Sequence, residues 1–162
     1  MSVAAPFAEF RTIVKPDYVD HNGHMGIRSY TRLFDEATGP FYDFLNISRT
    51  NVREHGGTIF ALQDTAWYRR EVMLDDPLLI TSQLIEHDHN KVVSFFTMHQ
   101  TRDNYEAAMF EIIEIFIDRE TRKPKPFPAV ITERLAEVQK AHDALPRPPL
   151  SGRGVGIARK SG

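Results

Sequence analysis

Residues Tyr18–Ala37 read YVDHNGHMGIRSYTRLFDEA: a polar loop with an acid, two histidines, an asparagine and two glycines, running straight into an amphipathic segment. Leu33, Phe34, Ala37, Phe41, Phe44 and Leu45 recur at spacings of three and four, which predicts one wide apolar stripe on a helix from about Tyr30 to Leu45. Ser29 is placed to cap it. Gly39-Pro40 falls inside the stripe. Pro40 would clash with the carbonyl of Glu36, so a kink or a break is expected there.

The rest of the body reads as strand. Phe7–Val14 precedes the loop and ends at Pro16-Asp17. After Gly56-Gly57 come four further runs, Thr58–Val72, Leu78–His87, Lys91–Thr101 and Tyr105–Asp118. The turns between them are Asp75-Asp76-Pro77, Asp88-His89-Asn90 and Arg102-Asp103-Asn104. The last run contains EAAMFEIIE, which also fits a helix; its β-branched residues and the regular strand spacing before it favour strand. Thr132–Leu145 is a second helix, with Ile131, Leu135, Val138 and Leu145 on one side, and Pro146 ends it. One helix among runs of strands predicts an α+β protein with a largely antiparallel sheet. Residues 1–145 are expected to form one domain that includes the C-terminal helix. Residues 146–162 form a Pro/Gly-rich basic tail, of which Ser151–Gly162 is expected to be poorly ordered unless docked. The sheet has edges to cover, and dimerisation is a common way to cover them.

Composition narrows the function. With 162 residues, 41% hydrophobic and 26% charged, the chain suits one soluble domain with a real core. A net charge of -2 gives no reason to expect nucleic acid or an anionic membrane as partner. No apolar segment is long enough to span a bilayer, and MSVAAPFAEFRT lacks the basic start and apolar core of a signal peptide. A cytoplasmic protein is expected. There is no cysteine, and no phosphate loop, GxGxxG, HExxH or GxSxG motif.

The loop is where chemistry concentrates. His21 and His24 beside Asp20 suggest a metal, but a three-apart pair suits a helix and Asn22-Gly23 argues for a turn, so none is expected. His87, His89 and His99 read as solvated or strand-edge residues. Asp20 is either a plain turn residue or a functional acid. Gly23 and Gly26 let backbone pass close to a ligand, and the start of the helix offers free N–H groups and a dipole to a carbonyl oxygen. A carboxylate beside such a place is the minimum kit for hydrolysing an activated acyl group.

Val19-Asp20-His21-Asn22-Gly23-His24-Met25, with Tyr30 and Leu33-Phe34-Asp35-Glu36-Ala37, resembles the hotdog-fold acyl-CoA thioesterases of the 4-hydroxybenzoyl-CoA thioesterase type. In that family an aspartate three residues before a glycine opens the long central helix. The tail, Lys125-Pro-Phe-Pro128 and Leu145–Arg153, is similar to a subgroup that includes betainyl-CoA thioesterases. The resemblance implies a five-stranded sheet wrapped around a long helix. It implies Asp20 as catalytic carboxylate, and Gly23, His24, Met25 and the backbone near Ile27 as substrate-binding loop. Asp64 and Thr65 would face the acyl pocket from a partner subunit. It further implies an acyl-CoA substrate, a homodimer or dimer of dimers, and no metal or cofactor. Arg69, Arg70, Lys91 and Arg102 are candidates for the CoA phosphates. Phe41, Phe44, Phe60 and Trp67 are candidate pocket walls, and a cationic acyl group would want an aromatic or acidic wall such as Trp67, Tyr68 and Asp64. Two alternatives stay open. A hotdog enoyl-CoA hydratase places Asp and His five apart with Asn-Pro between; here His24 is one residue early and Gly23 stands for Pro. A non-catalytic acyl-CoA-binding module would keep the fold alone.

Overall fold

A computed structural model describes residues 2–157. Strand β1 (Phe7–Ile13) is followed by a 3₁₀ turn (Pro16–Tyr18) and helix α1 (Ile27–Phe44). A short helix α2 (Arg49–Glu54) leads to β2 (Gly57–Tyr68), β3 (Pro77–His87), β4 (Lys91–Gln100) and β5 (Tyr105–Asp118). Helix α3 (Ala129–His142) closes the sequence of elements. The five strands form one antiparallel sheet in the order β1-β3-β4-β5-β2. The α+β reading holds, and the ambiguous Tyr105–Asp118 run is a strand. Its inward side chains, Phe110, Ile112 and Phe116, join the core on the α1 side while its backbone pairs with β4 and β2.

Helix α1 lies on one face of the sheet. Its buried residues are Tyr30, Leu33, Phe34, Ala37 and Phe41, the expected stripe. They meet Ile80, Leu84, Phe96, Met98 and Phe110. Phe34 stacks on Phe110 at 5.2 Å, and Phe41 meets Phe96 edge-on at 5.7 Å. The helix is not broken at Pro40. Proline removes the N–H that the Glu36 carbonyl would accept, but Glu36 is exposed, where water can serve. The next residue, Phe41, is fully buried among Phe7, Phe44, Phe96 and His142, and that packing keeps the last turn in place. Helix α3 covers the far end of this layer with Ile131, Leu135 and Val138. Its Arg134 guanidinium donates to the Phe44 carbonyl at 2.8 Å.

Several boundaries differ from expectation, among them α3, which spans Ala129–His142 rather than Thr132–Leu145. Helix α1 starts at Ile27, with Gly26 at the cap position and no side-chain cap bond; Ser29 sits in the first turn and donates its hydroxyl to the Tyr18 carbonyl at 3.0 Å. Strand β2 ends at Tyr68 rather than Val72, because residues 72–73 leave the sheet to bind the Asp20 loop. Helix α2 occupies a stretch with no strong periodicity.

The other face of the sheet carries a smaller cluster of Ile85, Phe95 and Met109, with Trp67, Val93 and Leu150 against it. The Pro-rich tail docks there. Ser151 Oγ donates to Glu111 Oε1 at 2.5 Å, and the Gly152 N–H donates to Glu111 Oε2 at 2.8 Å. The basic end of the expected tail, residues 158–162, lies outside the described residues. No helix among the described residues is long and apolar enough to cross a membrane. Strand β2 is an exposed edge, on which Phe60 and Leu62 are each 50% exposed. At its start, Gly57 lies so close to Phe116 that a Cβ would fall 2.1 Å from the ring, so only glycine fits without displacement.

Candidate active site

The Asp20 loop is a short, tightly hydrogen-bonded reversal. The Asp20 N–H donates to the His24 carbonyl at 2.8 Å, and the Gly23 N–H donates to the Asp20 carbonyl at 3.0 Å. Gly23 takes φ +77, a left-handed conformation that favours glycine, which is why the turn closes there. The Asp20 carboxylate accepts from the Asn22 N–H through Oδ1 at 2.8 Å. That bond fixes the carboxylate's direction and leaves Oδ2 without a hydrogen bond to the described residues. Asp20, His21 and Asn22 are exposed.

The far side of the reversal is anchored. Val19 bridges Met25, and His24 bridges Met73. The Met25 N–H donates to the Val72 carbonyl at 3.0 Å and its side chain is buried in the core. Met25 therefore brings neither a free backbone donor nor an exposed side chain to a substrate. His24 Nδ1 lies 3.2 Å from Glu71 Oε1, so the ring ties the loop to the segment beneath it. Among the described residues no group of three His, Asp or Glu side chains converges at metal-binding spacing.

Past Gly26 the chain turns into α1. The N–H groups of Ser29 and Tyr30 both point to the Gly26 carbonyl, at 2.9 and 3.4 Å. The N–H groups of Ile27 and Arg28 have no acceptor among the described residues, and Ile27 is 67% exposed. A Cβ at Gly26 would meet nothing within 4 Å, so the approach is open. The result is a held carboxylate followed, seven and eight residues on, by two free backbone donors at the positive end of an 18-residue helix.

Asp64 and Thr65 are adjacent on β2, and strand alternation sends them to opposite faces. Asp64 pairs with Ile112 on the α1 side, whereas Thr65 pairs with Glu111 on the tail side. Only Asp64 faces the layer that contains α1. Trp67 likewise packs under the tail with Phe95, away from α1. Tyr68 is on the α1 side, edge-on to Tyr30 at 5.2 Å. Phe41 and Phe44 belong to the core, whereas Phe60 stays on the open edge. Of the four basic candidates, Arg102 pairs with Asp76 at 2.8 Å, Lys91 with Asp88 at 3.3 Å, and Arg70 lies over the Tyr105 ring at 3.8 Å. Arg69 has no ion pair among the described residues.

One acidic residue escaped the reading of the sequence. Glu114, on the α1 side of β5, is 8% exposed, and its Oε2 has no hydrogen-bond partner among the described residues. Burial, with a smaller contribution from Asp35 on α1, pushes its carboxyl up to about 7.

The model of the thioesterase-like superfamily matches residues 14–135. The chain is 24% identical over 148 residues to betainyl-CoA thioesterase of Pseudomonas aeruginosa, covering 91% of this chain and 93% of that protein. It is 25% identical over 159 residues to an L-carnitine dehydrogenase/betainyl-CoA thioesterase of Rhizobium meliloti, covering 98% of this chain but 32% of that protein. The chain thus spans about a third of the length of the second relative and nearly all of the first. Among solved structures, a Staphylococcus aureus protein in complex with CoA superposes with a TM-score of 0.85 at 22% identity, over 98% of this chain and 100% of that one. A 1,4-dihydroxy-2-naphthoyl-CoA thioesterase from Synechocystis superposes with a TM-score of 0.69 at 16% identity, over 89% and 100%. The matched stretch carries the Asp20 loop, α1 and strands β2 to β5: with its hotdog fold, the chain belongs to the thioesterase-like superfamily.

Proposed function

We propose that this protein hydrolyses an acyl-CoA thioester to a free acid and CoA. The observation that carries the reading is the carboxylate of Asp20, fixed in its turn, immediately before the uncapped N-terminus of α1. The thioester oxygen accepts from the free N–H groups of Ile27 and Arg28, where the helix dipole stabilises the charge that develops on it. Asp20 then either takes a proton from the attacking water or attacks the carbonyl carbon to give an anhydride that water opens. In both routes the C–S bond breaks and CoA leaves as the thiol. His24 holds the loop through Glu71, which suits hydrolysis better than the hydratase arrangement, where a free histidine shares the work with the acid.

The single chain leaves the site open on the side of β2. Phe60 and Leu62 on that edge support a homodimer that closes it, and the relatives named for betainyl-CoA point to an acyl group bearing a trimethylammonium. Such a reaction on CoA esters belongs in the cytoplasm. Thiol release over short, branched, aromatic and betainyl CoA esters tests the activity. Asp20→Asn keeps the turn, because an amide oxygen still accepts from the Asn22 N–H, and it should lower kcat about 10²–10⁴-fold. Near-normal turnover would remove Asp20 from the mechanism. A monomer in scattering-coupled size exclusion would remove the shared site.

A further inference from the structure

Glu114 stands where an unpaired carboxyl is destabilising. Its strand neighbours are Ala61 on the edge strand β2 and Val92 on β4, and neither offers a side-chain donor. The acidic Asp35 lies across on α1. No lysine or arginine among the described residues pairs with Glu114. Two hydroxyls elsewhere on the facing surfaces of the sheet and α1 are also buried without a partner among the described residues. One is Ser94 Oγ, on β4 opposite Ile112 and so on the same inner face; the other is that of Tyr42, seven residues beyond Asp35 and hence on the same flank of α1. The layer between α1 and β2 is therefore acidic at Glu114 and Asp35 and, among the described residues, short of positive charge. It reaches the surface at Ala61, where the edge strand is exposed and its side chain is one methyl group.

We propose that Glu114 is the counter-charge for a cationic acyl group, a quaternary ammonium that approaches the α1–β2 layer over the exposed edge at Ala61. The proposal rests on the thioesterase reading and assigns its acyl specificity to a residue that the resemblance did not reach. A quaternary ammonium has no N–H to direct. It asks only for a desolvated negative charge and an aromatic wall, and Tyr42 lies on the same flank of α1 as Asp35. Asp35 is eight residues past Ile27, about 12 Å along the helix axis, so the distance from carbonyl to cation is tested at two lengths.

The substrates are trimethylammonioacetyl-CoA and 4-trimethylammoniobutanoyl-CoA, each with the neutral isostere in which carbon replaces the charged nitrogen, 3,3-dimethylbutanoyl-CoA and 5,5-dimethylhexanoyl-CoA. For at least one pair, the unmodified enzyme should favour the cationic member by about tenfold or more in kcat/KM, as a desolvated charge pair does. Glu114→Gln should abolish that preference while holding the neutral ester within about threefold, and Glu114→Asp should keep part of it. The same four esters titrated calorimetrically into Asp20→Asn and Asp20→Asn/Glu114→Gln read binding alone. Should no ester be hydrolysed, the thioesterase reading fails, and these titrations still decide the role of Glu114. No preference in the unmodified protein, a preference that survives Glu114→Gln, or an equal loss on charged and neutral esters overturns the proposal.

Discussion

Replacing Glu114 with glutamine should change stability in a manner set by pH. Glu114 is buried with Oε2 unpartnered, and its carboxyl is pushed from 4.5 to about 7. Because the folded value is above the unfolded one, the protonated group is the one the fold accommodates. The associated stability is fully present below pH 4.5 and is lost as pH rises through 7. A displacement of about 2.5 units corresponds to about 3 kcal/mol at 1.36 kcal/mol per unit. Glutamine has the shape of the protonated acid and never ionises. Glu114→Gln should therefore match the unmodified protein within about 0.5 kcal/mol at pH 4.5 and exceed it by about 3 kcal/mol at pH 9. For a chain of this size that is a rise of roughly 6–12 °C in Tm. Urea denaturation of both proteins at pH 4.5, 6, 7.5 and 9 measures it, and ionisations elsewhere cancel in the difference. Asp35 is the named charged neighbour, so Asp35→Asn should reduce the pH-dependent part without removing it. A stability difference that does not vary with pH refutes the reasoning, since it would mean that Glu114 ionises as freely folded as unfolded.

Ile27→Pro removes one of the two free donors at the helix start while fitting the first helical position, because Gly26 before it is already extended at φ -75, ψ 155. It should leave Tm within about 2 °C yet lower kcat about 10²–10³-fold; unchanged turnover assigns the thioester oxygen elsewhere. His142 accepts from the Leu84 N–H through Nδ1 at 2.8 Å and meets the Ala4 carbonyl through Nε2 at 2.9 Å, which requires the neutral ring protonated on Nε2. Burial lowers its pKa below 6.5, so the stability it supplies is complete above pH 6.5 and declines as pH falls. His142→Ala should lose about 2–4 kcal/mol in urea at pH 7.5 and less as the pH is lowered. Gly57→Ala drives a methyl into the Phe116 ring and should lose about 1–3 kcal/mol, with Phe116→Leu in the same chain restoring part of it; additive losses in the double variant would show that the two do not touch.

How much of this was legible in the sequence depends on the range of each interaction. The stripe Leu33, Phe34, Ala37, Phe41 and the Asp20-to-Gly26 loop are local, and periodicity and turn chemistry describe them without knowledge of the fold. The helix start was misplaced by three residues because Ser29 bonds backward to Tyr18, a partner eleven residues away. The Pro40 break failed for the complementary reason: the packing of Phe41 against β4 and α3 decides the matter, and neither contact is local.

The site shows the same division more sharply. Its proposed catalytic half, an acid in a turn before a helix, can be read from consecutive residues. Its acyl half is built from side chains on α1, β2, β4 and β5, and their grouping follows from register. Asp64 and Thr65 looked equivalent in sequence, yet one residue of register places one against α1 and the other under the tail. Glu111 and Glu114 stand three apart in EIIE, a spacing that on a helix would join them on one side. On a strand the odd interval separates them, so Glu111 anchors the tail through Ser151 and Gly152 while Glu114 points inward with nothing to meet it. The difference between an ordinary tail contact and a buried, unpaired carboxyl thus comes from whether Tyr105–Asp118 is a helix or a strand. The sequence left that segment most open, and its pairing with β4 and β2 closes it.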